Sequence, residues 1–123
     1  LGAALRVWRP VLRARLARWR ASEAYAFRRL RRTLKGRSRE EIYRSLQRWL
    51  ERLEARLGPR AFAAEYGDGA LRAEIDALSE RAFAGGQAEV DLRVLDAGLA
   101  NARRRFLRQE PARGEAGLAP LNP

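Results

Sequence analysis

The stretch Ser38-Arg39-Glu40-Glu41-Ile42-Tyr43-Arg44-Ser45-Leu46-Gln47-Arg48-Trp49-Leu50-Glu51-Arg52-Leu53-Glu54-Ala55-Arg56-Leu57-Gly58-Pro59 decides the fold. Its first four residues have the spacing of a capping box, with the Ser38 hydroxyl placed to accept a backbone N–H and Glu41 placed to reach back. Behind them Ile42, Leu46, Trp49, Leu50, Leu53 and Leu57 repeat with helical period, and Gly58-Pro59 supplies a C-terminal glycine and a stop. Arg44 and Arg48, set against Glu51 and Glu54, fall on the remaining surface as a solvated face. The spacing predicts a helix that is apolar on one side and therefore needs other helices to cover it.

The same pattern continues downstream. A short helix is expected from about Pro59 to Tyr66, with Phe62 and Tyr66 four apart, ending at Gly67. Asp68 is placed as an N-cap for a helix carrying Leu71, Ile75, Leu78 and Phe83, closed by Gly85-Gly86. Asp91 is placed to cap a last helix in which Leu92, Leu95, Leu99, Ala102 and Phe106 alternate three and four apart like a packing seam. From about Gln109 to Pro123 the chain has three prolines, two glycines and little to bury, the composition of a disordered tail. No stretch alternates with period two for long enough to argue a strand, and Gly67-Asp68-Gly69 lies between helical patterns rather than strands. The expected fold is all-α, a small bundle of four or five helices. Trp49, Leu46, Leu50, Leu53, Leu71, Ile75, Leu78, Leu95, Leu99 and Phe106 are its expected core.

Upstream of Ser38 the pattern is helical too, but the polar residues change character. Leu5, Trp8, Leu12, Leu16 and Trp19 are spaced three, four, four and three, which at about 100° per residue sets them on one narrow stripe. Around it lie Arg6, Arg9, Arg13, Arg15, Arg18 and Arg20. Arginine stems beside an aromatic and aliphatic stripe suit a membrane surface, where they snorkel, or an acidic partner groove. Pro10 predicts either a kink or a helix start. Ser22-Glu23 is placed to begin a second stretch with Tyr25, Phe27, Leu30 and Leu34 as its apolar positions, ending at Gly36. Periodicity leaves open whether these two stretches are one helix.

Charge follows the same division. The 123 residues carry 26 Lys+Arg and 15 Asp+Glu, a net +11. Residues 1–37 hold twelve of the basic side chains and one acid, Glu23, so the whole excess lies there. The rest is neutral. Only Lys35 is a lysine, a bias that GC-rich coding explains as well as phosphate recognition does. The chain has no Cys, His or Met. Disulfides, zinc fingers, Cys nucleophiles and His-based triads or metal sites are thereby excluded. Of the carboxylates left for catalysis, Glu40/Glu41, Glu51/Glu54, Asp68 and Asp76/Glu80 each have an ordinary role as caps or solvated helix faces. There is no P-loop, no GxGxxG and no calcium-loop spacing. The reading is of a non-enzymatic chain with no cofactor and no metal.

Two functions compete for the basic segment, beside the plainer readings of a charged surface without a function of its own and of a soluble adaptor whose basic helix packs on its own domain. Arginines interleaved with Trp8, Trp19, Tyr25 and Phe27 could bind nucleic acid by phosphate contact and stacking, with Arg28, Arg29, Arg31, Arg32, Arg103, Arg104 and Arg105 as the contacts. The same residues fit a juxtamembrane segment obeying the positive-inside rule. The second reading also accounts for Leu1-Gly2-Ala3-Ala4-Leu5, which has the character of the last apolar turn of a longer hydrophobic segment. It makes Trp8, Arg9, Arg13, Arg15, Arg18, Trp19 and Arg20 the membrane-surface residues. Arg28, Arg29, Arg31 and Arg32 are left as candidate contacts for a partner or polyanion.

The run Ser22-Glu23-Ala24 to Arg32, then Tyr43-Arg44-Ser45-Leu46-Gln47-Arg48-Trp49-Leu50, then Gly67-Asp68-Gly69-Ala70-Leu71-Arg72-Ala73-Glu74-Ile75-Asp76-Ala77-Leu78, then Phe83-Ala84-Gly85, resembles the C-terminal cytoplasmic domain of BatD proteins, bacterial membrane proteins named for aerotolerance. The resemblance covers about residues 22–108. Members often have Tyr where Phe83 stands and an aromatic near Val90, so the fourth and fifth helices match less closely. What the resemblance implies is a helical tail after extracytoplasmic β-rich domains and one transmembrane helix, working with a MoxR-type AAA+ ATPase and von Willebrand factor A proteins. No catalytic motif comes with it. The expected organisation is a basic amphipathic juxtamembrane segment over residues 1–21, a helical domain over 22–108 and a tail over 109–123, on the cytoplasmic face of a bacterial inner membrane.

Overall fold

The computed structural model describes residues 2–85 and 89–109, with side chains from residue 9 onward. The chain is all-α: α1 (Gly2–Thr33), α2 (Arg39–Leu53), α3 (Pro59–Tyr66), α4 (Gly69–Phe83) and α5 (Leu92–Gln109). No strand occurs among the described residues. The expected tail from residue 110 on, Gly86, and the side chains of Leu5 and Trp8 lie outside them.

Local chemistry sets most of the boundaries. Ser38 Oγ accepts from the Glu41 N–H at 3.2 Å and starts α2, while the Glu41 carboxylate lies 3.9 Å from Arg37 Nε. Asp68 Oδ1 accepts from the Leu71 N–H at 2.8 Å and starts α4. Asp91 Oδ1 accepts from the N–H groups of Arg93 and Val94 at the start of α5. The Asp91 N–H in turn donates to the Glu74 carboxylate, tying the entry of α5 to the side of α4.

Two boundaries differ from expectation. Helix α2 stops at Leu53 rather than running on to Leu57. Glu54 takes the left-handed conformation with φ 59°, and the Ala55 N–H donates back to the Leu50 carbonyl at 3.2 Å, a closure more usual at glycine. Gly58 then acts as the N-cap of α3, with Pro59 in its first turn, instead of ending α2. At the other end of the chain, α1 is one helix through Pro10 and Ser22, so the expected division between residues 21 and 22 falls inside an unbroken element.

The core is aromatic at its centre. Trp49 of α2 is fully buried, with the Phe27 ring of α1 at 4.9 Å and the Phe62 ring of α3 edge-on at 5.4 Å. Phe62 leads on to Tyr66 at 5.2 Å and Phe106 of α5 at 6.2 Å. Offset and edge-on pairs of this kind add about 0.5–1.5 kcal/mol each to the area they bury. Leu71, Ile75 and Leu78 close the cluster from α4. Gly98 lets α5 approach α4, since a Cβ there would meet the Leu71 side chain at 2.9 Å. All ten expected core residues are buried. Among the apolar helix positions Tyr25 and Phe83 stay exposed; Phe83, at 60%, stands edge-on to Tyr43, with ring centres 4.9 Å apart. It lies five residues beyond Leu78, about 140° round the helix from it.

Candidate functional site

Helix α1 carries the seven membrane-surface residues and Arg28, Arg29, Arg31 and Arg32, while Arg103, Arg104 and Arg105 lie on α5, and the two ends of α1 are in different environments. The C-terminal end is part of the bundle. Phe27, Leu30 and Leu34 are buried there in helical register, and so is one charged side chain, Glu23, at 2% exposure. Its carboxylate accepts from the Trp49 indole N–H at 2.8 Å and, in a two-point clasp, from Arg103 Nε at 2.7 Å and Nη2 at 2.8 Å. The Arg103 guanidinium also lies 4.9 Å above the Phe27 ring. Hydrogen bonding to Glu23 raises the Arg103 pKa, burial opposes this, and Coulomb attraction to Glu23 reinforces it. One acid thus joins α1, α2 and α5.

This residue was missed in the sequence, although a signal was present. Glu23 is the single acid among twelve basic side chains in residues 1–37, and it falls four residues before Phe27 and seven before Leu30. That register points inward.

Towards its N-terminus α1 leaves the bundle. Over residues 9–22 no side chain is fully buried; Leu12, Leu16 and Trp19 are half-buried, and Arg9, Arg13, Arg15, Arg18 and Arg20 are exposed. Leu12, Leu16 and Trp19 fall within the same sector, about 80° wide, as Glu23, Phe27, Leu30 and Leu34. The apolar stripe of the projecting part therefore faces the side on which the bundle sits. Trp19 is drawn in further than a membrane-surface residue would be. Its ring packs against the core, and its indole N–H is enclosed without an acceptor among the described residues. The side chain of Trp8 lies outside the described residues, whereas the five arginines are all open to solvent.

The four candidate polyanion contacts do not form one surface. Arg28, Arg31 and Arg32 border a cleft between α1 and the start of α5, together with Lys35 and Arg93. Arg29 lies on a separate groove between α1 and α2. Arg31 is engaged by Asp96, at 2.9 Å from Nε and 3.2 Å from Nη2, and this hydrogen bonding, with the Coulomb attraction behind it, raises its pKa. Within the wider nucleic-acid set, Arg103 is held by Glu23, Arg105 donates to the Tyr66 carbonyl at 3.4 Å and Arg104 donates to the Asn101 side chain. Arg28, Arg31 and Arg32 thus share one cleft, with Arg29 on another.

No cluster of three or more acidic residues able to hold a metal ion occurs among the described residues. Asp76, one of the acids considered for chemistry, pairs with Arg60 at 3.1 Å. No described helix is long and apolar enough to cross a membrane. The chain matches no family model, no curated protein and no solved structure.

Proposed function

We propose that this chain is a non-enzymatic helical interaction domain held at an anionic membrane surface by the arginine-rich N-terminal part of α1. The observation that supports this most is the continuity of α1. Its C-terminal end is built into the core through Glu23, Phe27, Leu30 and Leu34, and its N-terminal end carries Arg9, Arg13, Arg15, Arg18 and Arg20 in the open. Near a negatively charged leaflet each such arginine contributes about 1 kcal/mol, a sum steeply weakened by salt.

Because the apolar stripe and the bundle lie on one side of α1, a helix laid flat with Leu12 and Leu16 in the lipid would push the bundle into the surface. The stem therefore meets the lipid headgroups through its arginines and not through its apolar stripe. At about 1.5 Å per residue it spans roughly 30 Å from Gly2 to Glu23. Leu12 and Leu16 then line the inner side of the stem, facing a protein partner. By the resemblance quoted above, those partners are a MoxR-type ATPase and von Willebrand factor A proteins, and the tether is a transmembrane helix at the cytoplasmic face of a bacterial inner membrane.

The test is co-sedimentation of the chain with vesicles of neutral and anionic lipid, alongside fluorescence anisotropy with oligonucleotides, both across a salt series. Binding to anionic vesicles that falls when Arg9, Arg13, Arg15, Arg18 and Arg20 are changed to Gln supports the proposal. Tight, salt-steep oligonucleotide binding with no preference for anionic lipid overturns it in favour of an arginine-rich nucleic-acid module.

A further inference from the structure

The groove between α1 and α2 has a chemistry that neither the membrane stem nor the packing of the bundle uses. It encloses about 330 Å³, at the lower end of the range for small-ligand sites. Helix α1 contributes Ser22, Tyr25 and Arg29 to it, and α2 contributes Ser45, Arg48 and Arg52. Every one of these side chains ends in hydrogen-bond donors: a guanidinium offers five N–H groups, and each hydroxyl donates one more. The one carboxylate on the wall is Glu51, so three guanidiniums against one acid leave an excess of two positive charges.

Arg29, Arg48 and Arg52 have no carboxylate partner among the described residues. Arg31, Arg37, Arg60 and Arg103 do, in Asp96, Glu41, Asp76 and Glu23. Arg29 and Arg48 also lie well inside their helices, away from the last turn where a cation is favoured by the helix dipole. The cleft beside α5 is more cationic, with Arg28, Arg31, Arg32, Lys35 and Arg93 against Asp96, but no hydroxyl lines it, and Arg31 and Arg32 there occupy the last turn of α1.

Like charges gathered beside hydroxyls, and left without an anion of their own, are the complement of a phosphoryl group. Arginine binds such a group in a planar, two-point geometry. The phenol ring of Tyr25, 53% exposed at the rim, adds a flat face for a group attached to the phosphate. We infer that the α1/α2 groove binds a phosphomonoester, with Arg29, Arg48 and Arg52 on the phosphate oxygens and Ser22 and Ser45 as hydroxyl donors. The groove spans about two turns of each helix, enough for one phosphoryl group and its substituent and too short for a nucleic-acid tract. This site is independent of the membrane proposal and stands if that proposal fails.

The absence of histidine and cysteine makes the inference unusually easy to test, because no side chain of the protein normally changes charge between about pH 5 and 8. A phosphomonoester does, losing its second proton near pH 6. The probes are phenyl phosphate in solution and phosphatidic acid in phosphatidylcholine vesicles. Their diester counterparts are dimethyl phosphate and phosphatidylglycerol at matched vesicle charge. Binding of a monoester probe should strengthen as pH rises from about 5 to 7.5, while diester binding stays flat.

The Arg29→Gln, Arg48→Gln double variant should weaken monoester binding about tenfold or more, and Arg28→Gln, Arg32→Gln should change it less than about threefold. Phenyl phosphate binding assigns the site to a soluble ligand. Monoester preference confined to vesicles assigns it to a lipid headgroup. Equal binding of monoester and diester, no binding of either monoester probe, or binding untouched by the Arg29/Arg48 changes overturns the inference.

Discussion

The two ends of α1 have the same apolar period and the same abundance of arginine, yet one is built into the bundle and the other is open to water. From Glu23 to Leu34 the inward positions are covered by α2 and α5, and the one inward charge meets two donors. From Arg9 to Ser22 the same face has less to pack against, and its arginines have no carboxylate partner among the described residues. Amphipathic spacing thus marks a helix face that seeks cover without saying which parts find it. The length of the neighbouring helices decides that. Helix α2 has 15 residues against the 32 of α1, and ends one turn beyond Trp49, which sits beside Phe27 and Glu23.

The largest effect should come from breaking the bundle end at its single acid. Glu23→Ala removes the acceptor of a fully buried indole N–H and of a partly buried guanidinium, and should lower unfolding free energy by about 3 kcal/mol. Urea denaturation followed by tryptophan fluorescence measures it. A change below about 1 kcal/mol would show that water replaces Glu23 at no great cost.

Trp49→Phe keeps an aromatic ring in the core but removes the N–H donor and part of the indole volume, so about 2–3 kcal/mol should be lost with Arg103 still clasping Glu23. The solvent-facing bridge between Arg31 and Asp96, with side chains 51% and 36% exposed, should matter less. Asp96→Asn should cost under about 1 kcal/mol, and that small loss should shrink further in high salt.

At the open end, changing Arg9, Arg13 and Arg15 together to Gln should move stability by no more than about 0.5 kcal/mol while reducing vesicle binding. If that variant melts as early as the Glu23 variant, the two ends of α1 are not energetically distinct. The raised Arg31 and Arg103 pKa values call for no pH window near neutrality. A cation whose folded-state pKa is raised contributes fully below its unfolded value and loses that contribution only as pH climbs through the folded one, which for arginine is strongly alkaline.

The features legible in the sequence were those decided within a few turns of chain. Ile42 to Leu53, Leu71 to Leu78 and Leu95 to Phe106 announce their buried faces by spacing, and Ser38, Asp68 and Asp91 announce helix starts by side-chain chemistry. What was not legible depends on residues far apart or on backbone choices without a residue signature. The partner of Glu23 is 80 residues away on α5. The left-handed turn that ends α2 is taken by a glutamate, with nothing in its side chain to flag it, while the glycine that looked like the stop serves the next helix. Ser22 looked like a start, yet the phase of the apolar stripe runs through it without a step. Of the candidate site, the exposed arginines were visible as a stretch, and their division between two grooves required the packing of α1 against α2 and α5.

That uninterrupted phase makes α1 a mechanical shaft. Each residue between Trp19 and Glu23 fixes about 100° of rotation and 1.5 Å of length between whatever holds the stem and the helices packed on Phe27 and Leu30. Inserting one alanine there would swing Leu12 and Leu16 round to a new side of the domain, while inserting seven would return them close to their original bearing about 10 Å further out. A partner that reads direction would tell these two insertions apart, and one that reads only distance would not.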